Sequence, residues 1–311
     1  MINPDKQRTL LTLLKTVAET GYAFVPPTPE THRRVNARPG NEEARDLRDV
    51  FGWSRPFHRE IIGVRIFQLL HEADALEASG SLWKSRLRIA TLNGRHYLHS
   101  AFPTTQADAV FFGPDTYRFV RAALTALPRR SFSRAVDLGC GSGAGGLAVA
   151  AERDIATLYL TDINSTALVL AGVNTANAGQ PASFAEGDLF AALDGGFDLI
   201  LANPPYLADP GRRAYRDGGG TLGLELGLRI VREGVERLAP GGTLFLYTGA
   251  PIVSGVDRFW FEAEQILAAG RFHTEYSEID PDVFGEELDM PAYCEADRIA
   301  AITLMVTDQR V

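Results

Sequence analysis

From about residue 130 onward the chain alternates short apolar runs with helical segments, and this alternation constrains the fold more than any other feature. Residues 135–138, 158–161, 197–202, 243–247 and 299–306 read as buried strands. Helices are expected between them, over 144–152, 166–176, 222–238 and 256–269. Strands and helices in strict succession point to an α/β fold with a doubly wound, mainly parallel sheet. Ligands of such sheets sit beyond the carboxyl ends of the strands. The residues just after each strand are therefore the ones to read for chemistry.

After the first of these strands comes Asp137-Leu138-Gly139-Cys140-Gly141-Ser142-Gly143, which opens a helix. Gly139, Gly141 and Gly143 permit positive φ and let a ligand approach the backbone closely. The spacing departs from the Gly-x-Gly-x-x-Gly of dinucleotide folds, which weakens a dehydrogenase reading. Cys140 reads as a small packing residue. Asp162 ends the second strand, where a carboxylate accepts two hydrogen bonds from ribose hydroxyls or caps the following helix. Asp188 follows a third strand and by itself is an ordinary turn aspartate.

The most specific signal is Asn203-Pro204-Pro205-Tyr206, directly after the buried strand 197–202. Two prolines at a strand end hold the backbone stiff and out of the hydrogen-bond ladder. The Asn203 side-chain oxygen and the Pro204 carbonyl then stand as neighbouring acceptors. Two acceptors grip the two hydrogens of a planar amino group and leave its nitrogen lone pair aimed at an electrophile. Tyr206 offers a flat face for stacking on the substrate plane.

Together these residues resemble the amino-methylating class I methyltransferases, which use S-adenosylmethionine (AdoMet) and release S-adenosylhomocysteine. The resemblance implies a Rossmann-like fold, with AdoMet over the turn of Asp137, Gly139, Gly141 and Gly143. It places the ribose on Asp162, the adenine near Asp188 and the reacting centre at Asn203, Pro204, Pro205 and Tyr206. The segment 219–224, with Arg229 and Ile230 downstream, looks like the Gly-Gly-x-Asp-Gly-Leu stretch of the release-factor glutamine methyltransferases (HemK/PrmC family). Gly113-Pro114-Asp115-Thr116-Tyr117 looks like that family's Arg-Pro-Asp-Thr-Glu segment, which adds Thr116 to the cofactor-binding set. Gly113, Tyr117 and Leu222 depart from the family pattern. The similarity covers about residues 85–250 and extends to the broader "methyltransferase small" group, which includes ribosomal RNA enzymes.

Residues 1–100 are expected to form a smaller helical and hairpin domain for substrate recognition or capping, and 101–311 the AdoMet-binding catalytic domain. Asn3, Pro4 and Gly21 carry the cap and stop signals of a first helix, with Leu10, Leu13, Leu14 and Val17 on one face. Pro26, Pro27 and Pro29 predict an extended loop, residues 56–70 a longer helix, and 76–80 one further turn. Asn93-Gly94 between residues 87–92 and 96–99 predicts a hairpin. Helices followed by a hairpin fit a winged-helix module or a substrate cap.

Charge is divided along the chain: residues 1–130 hold 19 Lys+Arg against 13 Asp+Glu, and the remainder 12 against 26. Arg33, Arg34, Arg38, Arg45 and Arg48, with Arg212, Arg213 and Arg216 after the motif, form the basic features. Seven carboxylates between Asp280 and Asp297 form the acidic one. The expected methyl acceptor is a macromolecule, either a protein glutamine or a group in RNA or a ribonucleoprotein. The alternatives are a nucleic-acid base amino group and a non-catalytic AdoMet- or RNA-binding scaffold. No apolar run approaches the roughly 18 residues of a membrane span. Only Cys140 and Cys294 are present, too few for a disulfide framework. These features predict a cytoplasmic protein without membrane association. His96 and His99 fall on opposite faces of one strand, so no metal site is expected.

Overall fold

The computed structural model describes residues 4–213 and 215–310; Asn3, expected as the first helix cap, lies outside them. In chain order the elements are α1 (Pro4–Glu19), α2 (Pro29–Asn36), α3 (Leu47–Phe51), α4 (Gly63–Glu72), β1 (Leu76–Ser79), β2 (Leu82–Ser85), β3 (Leu87–Leu92), β4 (Arg95–Ser100) and α5 (Pro114–Ala126). There follow β5 (Phe132–Leu138), α6 (Ala144–Ala150), β6 (Ile155–Asp162), α7 (Ser165–Ala178), β7 (Ser183–Glu186) and β8 (Phe197–Ala202). The chain ends with α8 (Glu225–Glu236), β9 (Leu238–Val253), β10 (Val256–Asp257), α9 (Arg258–Leu267), β11 (Phe272–Asp280) and β12 (Ala296–Asp308). Two compact units result. One comprises residues 1–118, 141–148 and 165–181, the other 119–140, 149–164 and 182–311.

In the first unit, α1 buries Leu10, Leu13, Leu14 and Val17, the face its spacing predicted, against α4 and α7. Pro29 does not extend the proline loop. It occupies the first turn of α2, where a missing N–H costs nothing, and the Thr28 hydroxyl accepts from Thr31 N–H at 3.3 Å. The helix expected over 56–70 begins only at Gly63, after a 3₁₀ turn at Arg59–Ile61. The turn expected at 76–80 is instead a strand, because Leu76–Ser79 pairs with Leu82–Ser85 across Gly80, whose φ is +62°. Asn93 and Gly94 take φ of 49° and 74°, the two left-handed positions of a tight hairpin joining β3 to β4. Asn174 of α7 clamps that hairpin, accepting from Leu98 N–H at 2.8 Å and donating to Leu98 C=O at 3.0 Å.

His32 and His99 are both about 1% exposed in this unit. Burial, reinforced by the charge of Arg88, holds His32 down at about 3 and His99 well below the usual imidazole range. Both are therefore neutral when folded but take up protons in the unfolded chain near pH 6.5. Their contribution is complete above that pH and is lost as pH falls toward the folded values. The urea midpoint is expected to be lower at about pH 5 than at about pH 7.5, and His32→Gln to flatten the difference. Equal midpoints in the wild type would contradict this account.

The second unit is built on one sheet in the order β11-β12-β9-β8-β5-β6-β7, with β10 paired on β9. The pairs from β7 through β9 are parallel, and β12 alone of the seven runs antiparallel to its neighbours. The mainly parallel α/β sheet expected from the alternation is thus present. Its core includes Val136, Leu138, Phe197, Ile200, Leu244 and Leu246, closed by Leu228 and Val231 of α8 and Phe259 of α9. The chain leaves β5 toward β6 and β7, then crosses to β8 on the other side. That reversal makes the carboxyl ends of β5 and β8 a topological switch point. Among the described residues no helix is long and apolar enough to cross a membrane.

Candidate active site

Strand register brings the predicted residues of the second unit to one edge. Leu138 pairs with Ala202 across the switch point and with Thr161 on the other side, and Asp162 pairs with Glu186. Asp162 is the last residue of β6, and Gly139, Asp188 and Asn203 follow the carboxyl ends of the adjacent strands β5, β7 and β8. The edge is knitted by Cys140 N–H donating to Thr161 C=O at 2.9 Å and Gly187 N–H to Asp162 C=O at 3.1 Å. Thr116, in the first turn of α5, and Gly141 and Gly143 belong to the first unit.

The glycine turn has the form a cofactor needs. Gly139, Gly141 and Gly143 have φ of 63°, 53° and 75°. A Cβ on Gly139 would project into open space with nothing within 4 Å, so the chain leaves room there for a ligand to lie on the backbone. Asp137 beneath the turn is buried. Burial, with Asp137 and Asp162 adding to it, pushes the Cys140 thiol well up, so Cys140 packs and does not react.

Asp162 Oδ1 accepts from Asn164 N–H at 2.9 Å, which fixes the carboxylate at the strand end. Beside it, Ile163 is an exposed large apolar side chain, 58% accessible. Asp188 is held from α8: Arg229 Nη1 donates to Asp188 Oδ2 at 2.8 Å, while Arg229 Nε donates to Glu233 at 2.5 Å. These two carboxylates raise the Arg229 guanidinium pKa.

At the end of β8, Asn203 is half-buried, and its side chain makes no hydrogen bond among the described residues. Pro204 is buried. The Tyr206 ring, 6% exposed, lies against Gly249 of β9, with the rings of Tyr247 and Phe284 at 6.3 and 6.0 Å. A Cβ on Gly249 would collide with the Tyr206 ring. The ring seen here is thus an anchor that seats the motif, with little face left over for stacking.

The loop after the motif returns tightly. Leu207 C=O accepts from Gly218 N–H at 2.8 Å, and a Cβ on Gly223 would meet the Tyr206 carbonyl at 2.5 Å. Asp209, buried, accepts from Arg213 at 2.8 and 2.6 Å. That pairing holds its carboxyl down at about 2. Arg216 donates to the buried Glu287, and Tyr293 OH accepts from Ala208 N–H at 2.8 Å. The acidic stretch is therefore partly internal, and two of the three arginines after the motif are already neutralised. Gly249 and Tyr293 carried no local sequence signal, and nothing local to Arg229 or Glu287 told which partner each meets, since those contacts cross long stretches of chain.

A glycine turn, an acidic strand end and an Asn-Pro-Pro-Tyr corner at the switch point of a mainly parallel eight-stranded sheet define a class I, AdoMet-dependent methyltransferase. Residues 119–252 match the family model of the methyltransferase small domain. The chain is 38% identical over 153 residues to a release factor glutamine methyltransferase of Deinococcus radiodurans, covering 46% of this chain and 55% of the relative. It is 31% identical over 206 residues to one of Bordetella pertussis, covering 60% and 76%. The chain thus spans little more than half the length of the first relative and about three quarters of the second. It belongs to the release factor glutamine methyltransferase family. Among solved structures, Trm5b from Pyrococcus abyssi is similar with a TM-score of 0.50 at 14% identity, covering 75% of this chain and 62% of that one. At that identity the likeness concerns the fold.

Proposed function

We propose that this chain methylates the side-chain amide nitrogen of a glutamine in a protein of the release-factor type. The observation that carries the reading is Asn203: a half-buried amide at the switch point, with no hydrogen-bond partner among the described residues and a rigid diproline behind it. A primary amide has the two hydrogens that Asn203 Oδ1 and the Pro204 carbonyl would accept. Held so, the nitrogen is oriented for in-line attack, and most of the acceleration comes from proximity and orientation. AdoMet, which the glycine turn, Asp162 and Asp188 would hold, would supply an electrophilic sulfonium methyl, its carbon–sulfur bond breaking as the amide nitrogen bonds the methyl, with the surplus proton leaving to water.

Charge supports protein over naked nucleic acid. Arg213 and Arg216 are paired with Asp209 and Glu287, and Arg33 and Arg34 both contact Glu30. These pairings leave fewer cations for phosphates, on which nucleic-acid affinity depends. Labelled AdoMet should transfer its methyl to recombinant release factor, with the added mass on a glutamine by peptide sequencing. Label confined to RNA or DNA would replace this reading with base methylation.

Asp162 and Asp188 hold the ribose and adenine in this reading, with the open backbone of Gly139 beside them. Asp162→Ala should weaken AdoMet by about 1.5–3 kcal/mol, the range for hydrogen bonds to charged groups. Arg229→Gln releases the Asp188 carboxylate and should weaken AdoMet by a smaller amount, about 1 kcal/mol. Calorimetry with folded variants tests both. Unchanged affinity in Asp162→Ala would remove that residue from the cofactor site.

A further inference from the structure

β8 ends at Ala202, opposite Leu246 of β9, whereas β9 runs on to Val253, opposite Ala296 at the start of β12. β9 and β12 therefore overrun β8 on the side where Asn203-Pro204-Pro205-Tyr206 leaves the sheet. The connection from β11 to β12, residues 281–295, begins and ends on that overhang, since Asp280 pairs with Ala301 and Ala301 with Gly249. Val283 N–H donates to Ile299 C=O at 2.8 Å and pins the connection there. Phe284 follows. Its half-buried ring lies 6.0 Å from the Tyr206 ring, with the two planes at 59°. Its backbone has φ 56° and ψ 46°, the left-handed region, which a bulky residue keeps only where its surroundings hold it. Gly285 stands next to it, so the chain sets the ring, and not the glycine, in the strained position. Both flanks hold it. Val283 is tied to β12, and Glu287 N–H donates to Phe284 C=O at 2.8 Å while its buried carboxylate accepts from Arg216 of the loop after the motif.

We propose that Phe284 binds and orients the methyl acceptor: its ring, backed by Tyr206, is the flat wall on which the acceptor side chain lies while Asn203 and Pro204 take its amide hydrogens. The proposal rests on the glutamine reading. Tyr206 itself is buried against Gly249 and Tyr247 and has little face to offer, whereas Phe284 in front of it is partly open. A glutamine side chain presents two methylenes and a planar amide, and both pack well on an aromatic face. The strand order places β9 and β12 on one side of β8 and the cofactor-side strands β5, β6 and β7 on the other, so this wall belongs to the acceptor and not to AdoMet. It carries no charge and stabilises bound acceptor and transition state alike. Its loss therefore raises the acceptor's KM and leaves kcat nearly unchanged.

Three variants of the full chain test this with recombinant release factor as acceptor. Phe284→Gly keeps the left-handed backbone at no cost and removes the ring, Phe284→Leu keeps apolar bulk without a flat face, and Phe284→Tyr keeps the ring. Phe284→Gly should raise the acceptor's KM by roughly 10-fold or more, the scale of a lost aromatic contact, with kcat within about twofold of wild type. AdoMet affinity by calorimetry should stay unchanged. Phe284→Leu should fall between, and Phe284→Tyr should match the wild type. Should Phe284→Gly not fold, the comparison of Phe284→Leu with Phe284→Tyr still decides the matter. Methyl transfer by the wild type with KM unmoved in the glycine and leucine variants would overturn this proposal alone. So would a loss of kcat and AdoMet affinity in step with the thermal midpoint, which would make the ring a prop of the fold. A wild type that transfers no methyl to release factor would overturn the glutamine reading and this proposal with it.

Discussion

On the proposed reading, Asn203→Ala should lower the turnover number by on the order of 100-fold or more while leaving AdoMet affinity little changed. Loss of one positioned polar group at a reacting centre typically costs that much. The half-buried Asn203 side chain has no hydrogen bond among the described residues, so its removal breaks no hydrogen bond of the fold. The motif backbone stays seated, because Pro204 is buried and Tyr206 is held by Gly249, Tyr247 and Phe284. Removing a group that orients the nitrogen only as the methyl transfers lowers kcat and kcat/KM together. Asn203→Asp is a sharper comparison, since it keeps an acceptor of the same size at the same place. It should retain more activity than the alanine variant toward an amide. Equal losses in cofactor affinity and rate for Asn203→Ala would make Asn203 a structural residue.

The sheet and the motif positions were legible because each rests on local pattern. Stretches such as 199–202 and 244–247 are continuous apolar runs, as strands buried on both faces must be, and the glycine turn and diproline lie where backbone freedom or stiffness is written in single residues. Residues 76–79 were misread because Leu76-Glu77-Ala78-Ser79 has no helix-breaking residue and a weak strand pattern; pairing with Leu82–Ser85 decides its conformation. Pro29 was misread because the same φ serves an extended loop and the first turn of a helix. The long-range contacts of the site were not legible. Gly249 reads as one small residue in an apolar strand, and only the Tyr206 ring above it explains why a side chain is excluded. The seven carboxylates of 280–297 read together as one acidic feature, yet Glu287 is buried against an arginine 71 positions earlier in the chain.

Glu287→Ala should lower stability by about 2–3 kcal/mol and reduce turnover as well, through the loop that follows the motif. The carboxylate is 9% exposed and Arg216 is 22% exposed, between a fully buried pair and a surface one. Most of the loss comes from leaving the Arg216 cation without its partner in a half-buried site, with Asp209 3.6 Å from its Nε already committed to Arg213. Removing both charges is therefore milder than removing one: Glu287→Ala with Arg216→Met should recover part of the lost stability. Turnover should not recover with it, because neither apolar side chain ties the stretch 285–289 to the loop 207–218. Tyr293→Phe provides an independent approach to the same loop. It removes the acceptor for Ala208 N–H and the donor to Leu222 C=O, and should raise KM or lower kcat with a stability loss of only about 1 kcal/mol. Thermal unfolding and steady-state kinetics on the three variants separate the two effects. If turnover follows stability in all three, the acidic stretch supports the fold alone; if the double variant is stable but slow, it positions the loop behind Asn203.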